Sequence, residues 1–193
     1  MDVRHSHVAS PVGDLLLIAH DGALAGLYFP GYRYTPPESA WGRAVDAGTD
    51  PVLGQARREL GEYFAGNRQV FDVPAVTHGD PFQERVWARL RQIPFGARIT
   101  YGDIAAELGE EGLAQARAAG LGDKGLAQAV GQAVGRNPVS IAIPCHRVVG
   151  AGGKLTGFGG GLPRKQALLD LEAPAEASVA ASAPEPAGPG HLF

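Results

Sequence analysis

The stretch KGLAQAVGQAVGRNPVSIAIPCHRVVG, residues 124–150, carries a helix, the break that ends it and the only cysteine in the chain. Leu126, Val130 and Ala133 recur at helical spacing, so they turn inward together and leave Gln128 and Gln132 side by side on another face. The outer positions hold Ala127, Ala129, Gly131 and Gly135. A glycine inside a helix costs about 1 kcal/mol relative to alanine, so two of them call for a reason, and close approach of another backbone supplies one. Asn137-Pro138 stops the helix, and Pro144, which lacks an N–H, bends the approach to Cys145.

A lone cysteine most often packs as a small hydrophobe. The context of Cys145 points the other way: His146 is adjacent, and residues 125–169 hold Arg136, Arg147, Lys154, Arg164 and Lys165 with no acidic side chain, a setting in which Arg147 and its neighbours favour a thiolate. In a regular strand Cys145 and His146 would point to opposite faces. Proton transfer between them therefore requires either a sharp turn or a relaying water, and a distal carboxylate such as Glu172 could orient the imidazole. On these residues alone, the buried hydrophobe and the reactive thiolate both stand.

Working towards the N-terminus, DPFQERVWARLRQI (80–93) sets Phe82, Val86, Leu90 and Ile93 on one helical stripe, with Asp80 as N-cap and Pro81 at the first position. PFGARITYGDIAAELG (94–109) reads as a turn and a short helix carrying Ile104, Ala105 and Leu108. Two short helices ahead of a basic segment suggest a helix-turn-helix, with plain helical packing as the alternative. GLAQA occurs at 112–116 and again at 125–129, a local duplication that is expected to loop outward. The first half is different. GDLLLIAHDGALAGLYFPG (13–31) is two apolar runs around Asp-Gly, a hairpin signal, and residues 51–67 form a helix with Leu53, Ala56, Leu60 and Tyr63 or Phe64 inward. QVFDVPAV (69–76) reads as a short edge strand, and THGD (77–80) as a boundary.

These elements give an α+β chain of 193 residues, with an N-terminal domain over 1–76, a C-terminal domain over 77–172 and an Ala/Pro-rich tail over 173–193 expected to be disordered. A single cysteine excludes an internal disulfide and any multi-cysteine zinc site, so no metal is expected. No apolar run reaches signal-peptide or membrane-span length, so a cytoplasmic protein is expected. The net charge of -3 argues against a strongly basic nucleic-acid binder. The acid-free segment nevertheless leaves room for a local phosphate-facing surface.

Several segments together carry a family likeness. IPCHRVV, FQERVWARLRQIPFGARITYGDIA, AVGQAVGRNPVSIAIPCHRVVGAGGKLTGFGGGLPRKQALLDLE and, more weakly, YFAGNRQVFDVP follow in order the pattern of the O6-alkylguanine-DNA alkyltransferases, which the chain resembles from about residue 8 to 172. The resemblance implies a ribonuclease H-like N-terminal domain and a C-terminal domain with a winged-helix-like helix-turn-helix. It implies direct-reversal DNA repair: an alkyl group moves from O6-alkylguanine in double-stranded DNA, with O4-alkylthymine as a second substrate, onto Cys145, and the protein is used once. The target nucleotide must first leave the base stack. No cofactor is implied, and the protein would act as a monomer entering the minor groove, without a membrane partner.

By the same resemblance His146 is the base, acting through water; Glu172 orients it; and Asn137 supports the turn at the site. Tyr101 assists base rotation and donates a hydrogen bond to the flipped base. Backbone groups of Cys145, Val148 and Gly159 read the guanine edge, and Phe158 shapes the pocket where some members have tyrosine. Gln128, Ala129, Gly131, Gln132, Gly135 and Arg136 face DNA. One departure stands out: the family's helix begins RAVG, its arginine filling the vacated base stack, whereas Gln128 occupies that place here. An amide brings no charge to it. Arg117, in the first repeat copy, is the nearest substitute in sequence. Two other classes remain in view: a lesion-binding module without chemistry, its base flipping impaired by Gln128, and a Cys-His hydrolase that turns over.

Overall fold

A computed structural model describes residues 2–121 and 125–173. The expected tail, Ala173 apart, lies outside the described residues. The chain has the mixed α+β architecture expected of it. Its first half is a four-stranded sheet ordered β3-β2-β1-β4, built from β1 (Val3–Val8), β2 (Leu15–His20), β3 (Ala23–Tyr28) and β4 (Arg43–Ala44). The first three strands run antiparallel and β4 pairs parallel to β1. Asp21 and Gly22 join β2 to β3 with φ of 45° and 86°, the two left-handed residues that a tight hairpin needs. Helix α1 (Pro51–Phe64) packs on the sheet, its start held by Asp50, whose side chain accepts from the amides of Val52 and Leu53. Leu53, Ala56, Leu60 and Tyr63 are all buried, as their spacing requires.

The second half opens with α2 (Pro81–Leu90), where Asp80 and Gln83 form a reciprocal capping box. It continues through β5 (Ile99–Thr100), α3 (Tyr101–Ala118), α4 (Leu126–Gly135), β6 (Val148–Val149) and α5 (Leu162–Leu171), with β5 and β6 paired in parallel. Phe82, Val86, Leu90 and Ile93 are buried together. Helices α2, α3 and α4 pack on one another, the helix-turn-helix arrangement; residues 122–124, between α3 and α4, lie outside the described set.

Three expectations need correction. Residues 69–76 do not form a strand: one bridge joins Ala75 to Leu24, and Pro74 offers a carbonyl to Leu24 but no N–H. The amides of Asp72 and Val73 turn to the buried carboxylate of Glu59 instead. The duplicated segment does not loop outward as far as it is described. After a kink at Gly109 (φ 58°), α3 runs on through the first copy, burying Gly112 and Ala116, and Arg85 pairs with Glu111. Finally Ala129, expected on the outer face of α4, is fully buried beside Val130, because its place in the turn lies on the core side.

The halves are joined at the sheet edge. Leu27 of β3 donates to Pro138 O (2.8 Å) and its carbonyl accepts from Ser140 N (3.1 Å), so the chain leading to Cys145 extends the N-terminal sheet.

Candidate active site

Beyond that bridge the backbone turns hard. Ile141 takes a left-handed conformation (φ 68°), and Cys145–Arg147 form one turn of 3-10 helix after Pro144. The chain therefore turns sharply here, one of the two alternatives for the Cys-His pair, but no hydrogen bond joins His146 to Cys145 among the described residues. Asn137 holds the approach in shape: its Nδ2 donates to Ile143 O (2.8 Å) and its Oδ1 accepts from Val139 N (3.1 Å), all buried. It does more than end α4; it pins the loop that leads to the cysteine.

Glu172, at the end of α5 and 2% exposed, is the hub of a buried network. Its Oε1 lies 2.8 Å from His146 Nε2 and accepts from the Tyr63 hydroxyl (2.7 Å), while Arg147 donates to both carboxylate oxygens at 2.7 and 2.9 Å. Arg147 also donates to Ile93 O, and Gly96 N donates to Glu172 Oε2. Burial alone would raise the carboxyl, but the bonds from His146 and Arg147 hold it well below the usual carboxylate range. An ionised Glu172 fixes the imidazole with its proton on Nε2, leaving Nδ1 as an acceptor; that atom is buried with no partner among the described residues. Burial also lowers His146, against the pull of Glu172, so it is held neutral.

Cys145 is 2% exposed, and burial pushes its thiol up. The side chains of Asn137 and Ser140 and the charge of Lys165 oppose that rise. The cation that opposes the rise is Lys165, while the Arg147 guanidinium is committed to Glu172. Lys165 is itself buried, donating to Val148 O (2.5 Å) and Thr156 O (2.9 Å); burial brings its ammonium down to about 8, against the opposing effect of Cys145.

The Gly-rich run after Thr156 forms a wall. A Cβ on Gly159 would fall inside the Tyr32 ring, and one on Gly160 would meet Phe29 at 2.6 Å, so these two glycines are there for close packing rather than for flexibility. Together with the exposed side of α4 this wall encloses a cleft of about 610 Å3. Gln128, Gly131, Gln132 and Gly135 line one side, and Tyr101, Phe158 and Gly159 the other. The Tyr101 hydroxyl lies 3.0 Å from Gly157 O, and burial, with the Cys145 charge, pushes it up to about 12. Arg136 caps α4 at the rim. Ala129 is absent from the lining, and so is Arg117, exposed on the last turn of α3.

Sequence comparison meets this geometry at both ends of the chain. Residues 3–75 match the family described as 6-O-methylguanine DNA methyltransferase, ribonuclease-like domain, and residues 81–174 match the same protein's DNA binding domain. The chain belongs to the 6-O-methylguanine DNA methyltransferase family. A methylated-DNA–protein-cysteine methyltransferase of Mycolicibacterium paratuberculosis is 41% identical over 170 residues, covering 88% of this chain and 92% of that one. Another, from Methanosarcina acetivorans, is 37% identical over 84% of this chain and 94% of its own length. Among solved structures, Mycobacterium tuberculosis OGT in complex with DNA superposes with a TM-score of 0.73 at 40% identity, over 91% of this chain and 98% of that one.

For a methylguanine methyltransferase, the structure gathers Cys145, His146, Asn137, Glu172 and the carbonyl of Val148 into one buried cluster, with Tyr101, Phe158 and Gly159 in front of it. Sequence reasoning missed Tyr63, Tyr32 and Lys165. Tyr63 and Tyr32 come from the N-terminal half, and no local pattern marks a contact across a hundred residues. Lys165 left a faint trace, as one of five cations in the acid-free segment.

Proposed function

We propose that this protein repairs O6-alkylguanine in double-stranded DNA by a single, irreversible alkyl transfer to Cys145. The observation that carries this reading is the placement of the chain's only cysteine in a one-turn helix beside a neutral histidine held by a buried carboxylate, behind a cleft floored by glycine and aromatic residues. In this reading α4 enters the minor groove, with Gln128, Gly131, Gln132, Gly135 and Arg136 facing the duplex. Among the described residues, nothing outside its own helix backbone and chain neighbours lies within 4 Å of a Cβ placed on Gly135, which suits approach by a nucleic-acid backbone.

The extruded guanine enters between Tyr101 and Phe158, and backbone groups of Cys145, Val148 and Gly159 read its edge. His146 Nδ1 accepts the thiol proton through a water; the thiolate attacks the alkyl carbon, a C–S bond forms, and the C–O6 bond breaks with its electrons left on guanine. The proton taken up by His146 returns to the departing base, so the products are guanine and a thioether. A thioether has no polarised carbonyl for water to attack, and the protein is spent. The chain divides at 77–80, residues 1–76 bracing the active half and 77–172 carrying the acceptor. It acts as a monomer in the cytoplasm, with O4-alkylthymine as a second substrate.

Excess O6-methylguanine duplex, followed by intact mass and turnover, tests the reading. One stoichiometric, final methyl adduct on Cys145 is expected. Binding without an adduct would instead make the chain a lesion-recognition module, and sustained turnover a hydrolase.

A further inference from the structure

The N-terminal half reaches the cleft through one loop. Tyr32 is its buried root: the hydroxyl donates to Gly135 O (2.6 Å), lies 3.2 Å from Asn137 O, and the ring packs on Gly159. The next two residues turn outward, and Arg33 and Tyr34 line the same cleft as Gln128 and Gly135. Tyr34 is 39% exposed, one of few large apolar side chains left open to solvent among the described residues. Two guanidinium groups lie over its ring, Arg33 from its own loop and Arg136 from the end of α4, with Cζ 5.7 and 5.6 Å from the centroid. Among the described residues no acidic side chain lines the cleft.

Only one edge of the Tyr34 ring meets the core, against Tyr32 with centroids 6.3 Å apart, and the rest of the ring is left outside it. A partly exposed aromatic ring whose covering guanidinium groups can swing off to phosphates is the chemistry that holds unstacked bases and their backbone. Extruding a guanine exposes a face of the neighbouring base, and α4 offers Gln128, without charge, to occupy the gap. We propose that Tyr34 is a nucleotide-contacting residue, its ring stacking on the base next to the lesion while Arg33 and Arg136 hold the flanking phosphates. The assignment rests on the alkyl-transfer reading above and gives the N-terminal half a share in recognising damaged DNA.

The test compares second-order rates of Cys145 alkylation by an O6-benzylguanine duplex and by the free base O6-benzylguanine, whose benzylic carbon is readily attacked with guanine as the leaving group. Tyr34→Ala is expected to lower the duplex-to-free-base rate ratio about ten-fold, the size of one lost base-aromatic stack, and Tyr34→Phe to retain the ratio. Arg33→Ala is expected to reduce the salt slope of duplex binding by about one. An unchanged ratio in Tyr34→Ala, or an equal loss in Tyr34→Phe, overturns the assignment. Failure of the wild-type chain to transfer alkyl from either substrate would reject the alkyl-transfer reading itself, which separates the two outcomes.

Discussion

Glu172 touches His146, Arg147, Tyr63 and the Gly96 amide at once, so it is the single side chain on which most of the site's geometry depends. Its folded carboxyl lies below the unfolded value of about 4.3, so the stability it contributes is complete above that pH and is lost as pH falls towards the folded value. Glu172→Gln leaves Arg147 buried without a counter-charge, and such a break costs about 3–5 kcal/mol. We expect that loss in urea denaturation at pH 7, with the gap to wild type narrowing below pH ~4.3, where the unfolded chain's carboxyl takes up a proton that the native one does not. A gap of the same size at pH 7 and at the acid end would show that Glu172 acts through packing alone. At this scale the sequence singled out Cys145 and His146 as neighbours and offered Glu172 as a distal carboxylate for the imidazole, and the structure does bring Glu172 to His146. It could not announce that Arg147 serves the carboxylate and Lys165 the thiol, a choice made by which way each long side chain leaves its turn.

At the scale of elements, legibility followed periodicity. The stripe Phe82, Val86, Leu90, Ile93 and the Asp21-Gly22 turn were readable because spacing and turn chemistry are local properties. Residues 69–76 misled because an apolar run near an edge resembles a strand until Pro74 and the Glu59 carboxylate divert its amides. Strand β1 passed unnoticed, its alternation blurred by Arg4, His5 and His7. The extension of α3 was hidden by Gly109, which reads as a stop but here only kinks the helix. Since Ala116 is fully buried on that extension, Ala116→Leu is expected to destabilise the protein by about 1–3 kcal/mol through overpacking, measurable by thermal or urea unfolding. An outward loop would tolerate it. On α4, Gln128 faces the cleft and is exposed, so Gln128→Arg is expected to raise the rate of transfer from duplex substrate with little change in stability. Equal single-turnover rates for the two proteins would remove Gln128 from base extrusion.

Taken whole, the molecule builds its acceptor from both halves. The sheet edge pairs with residues 138–140, Tyr63 reaches Glu172, Tyr32 reaches the end of α4, and Arg164 of α5 donates to Val12 O and Gly160 O. The N-terminal half is thus a jig for the reactive turn, a role that no composition or motif in residues 1–76 disclosed. Tyr32→Phe removes one buried link and is expected to cost about 1 kcal/mol in urea denaturation while leaving the secondary structure intact by circular dichroism. Identical unfolding midpoints for the two proteins would show that the hydroxyl does not couple the halves.

The Leu27–Val139 bridge has a practical side. Because the chain's one thiol sits in the segment that this bridge ties to the sheet, a maleimide too bulky for the substrate cleft reaches sulfur only when the seam parts. Its labelling rate, set against that of an unstructured cysteine peptide, is a clock for that parting, and the atom that would record DNA damage also times the breathing of its own scaffold.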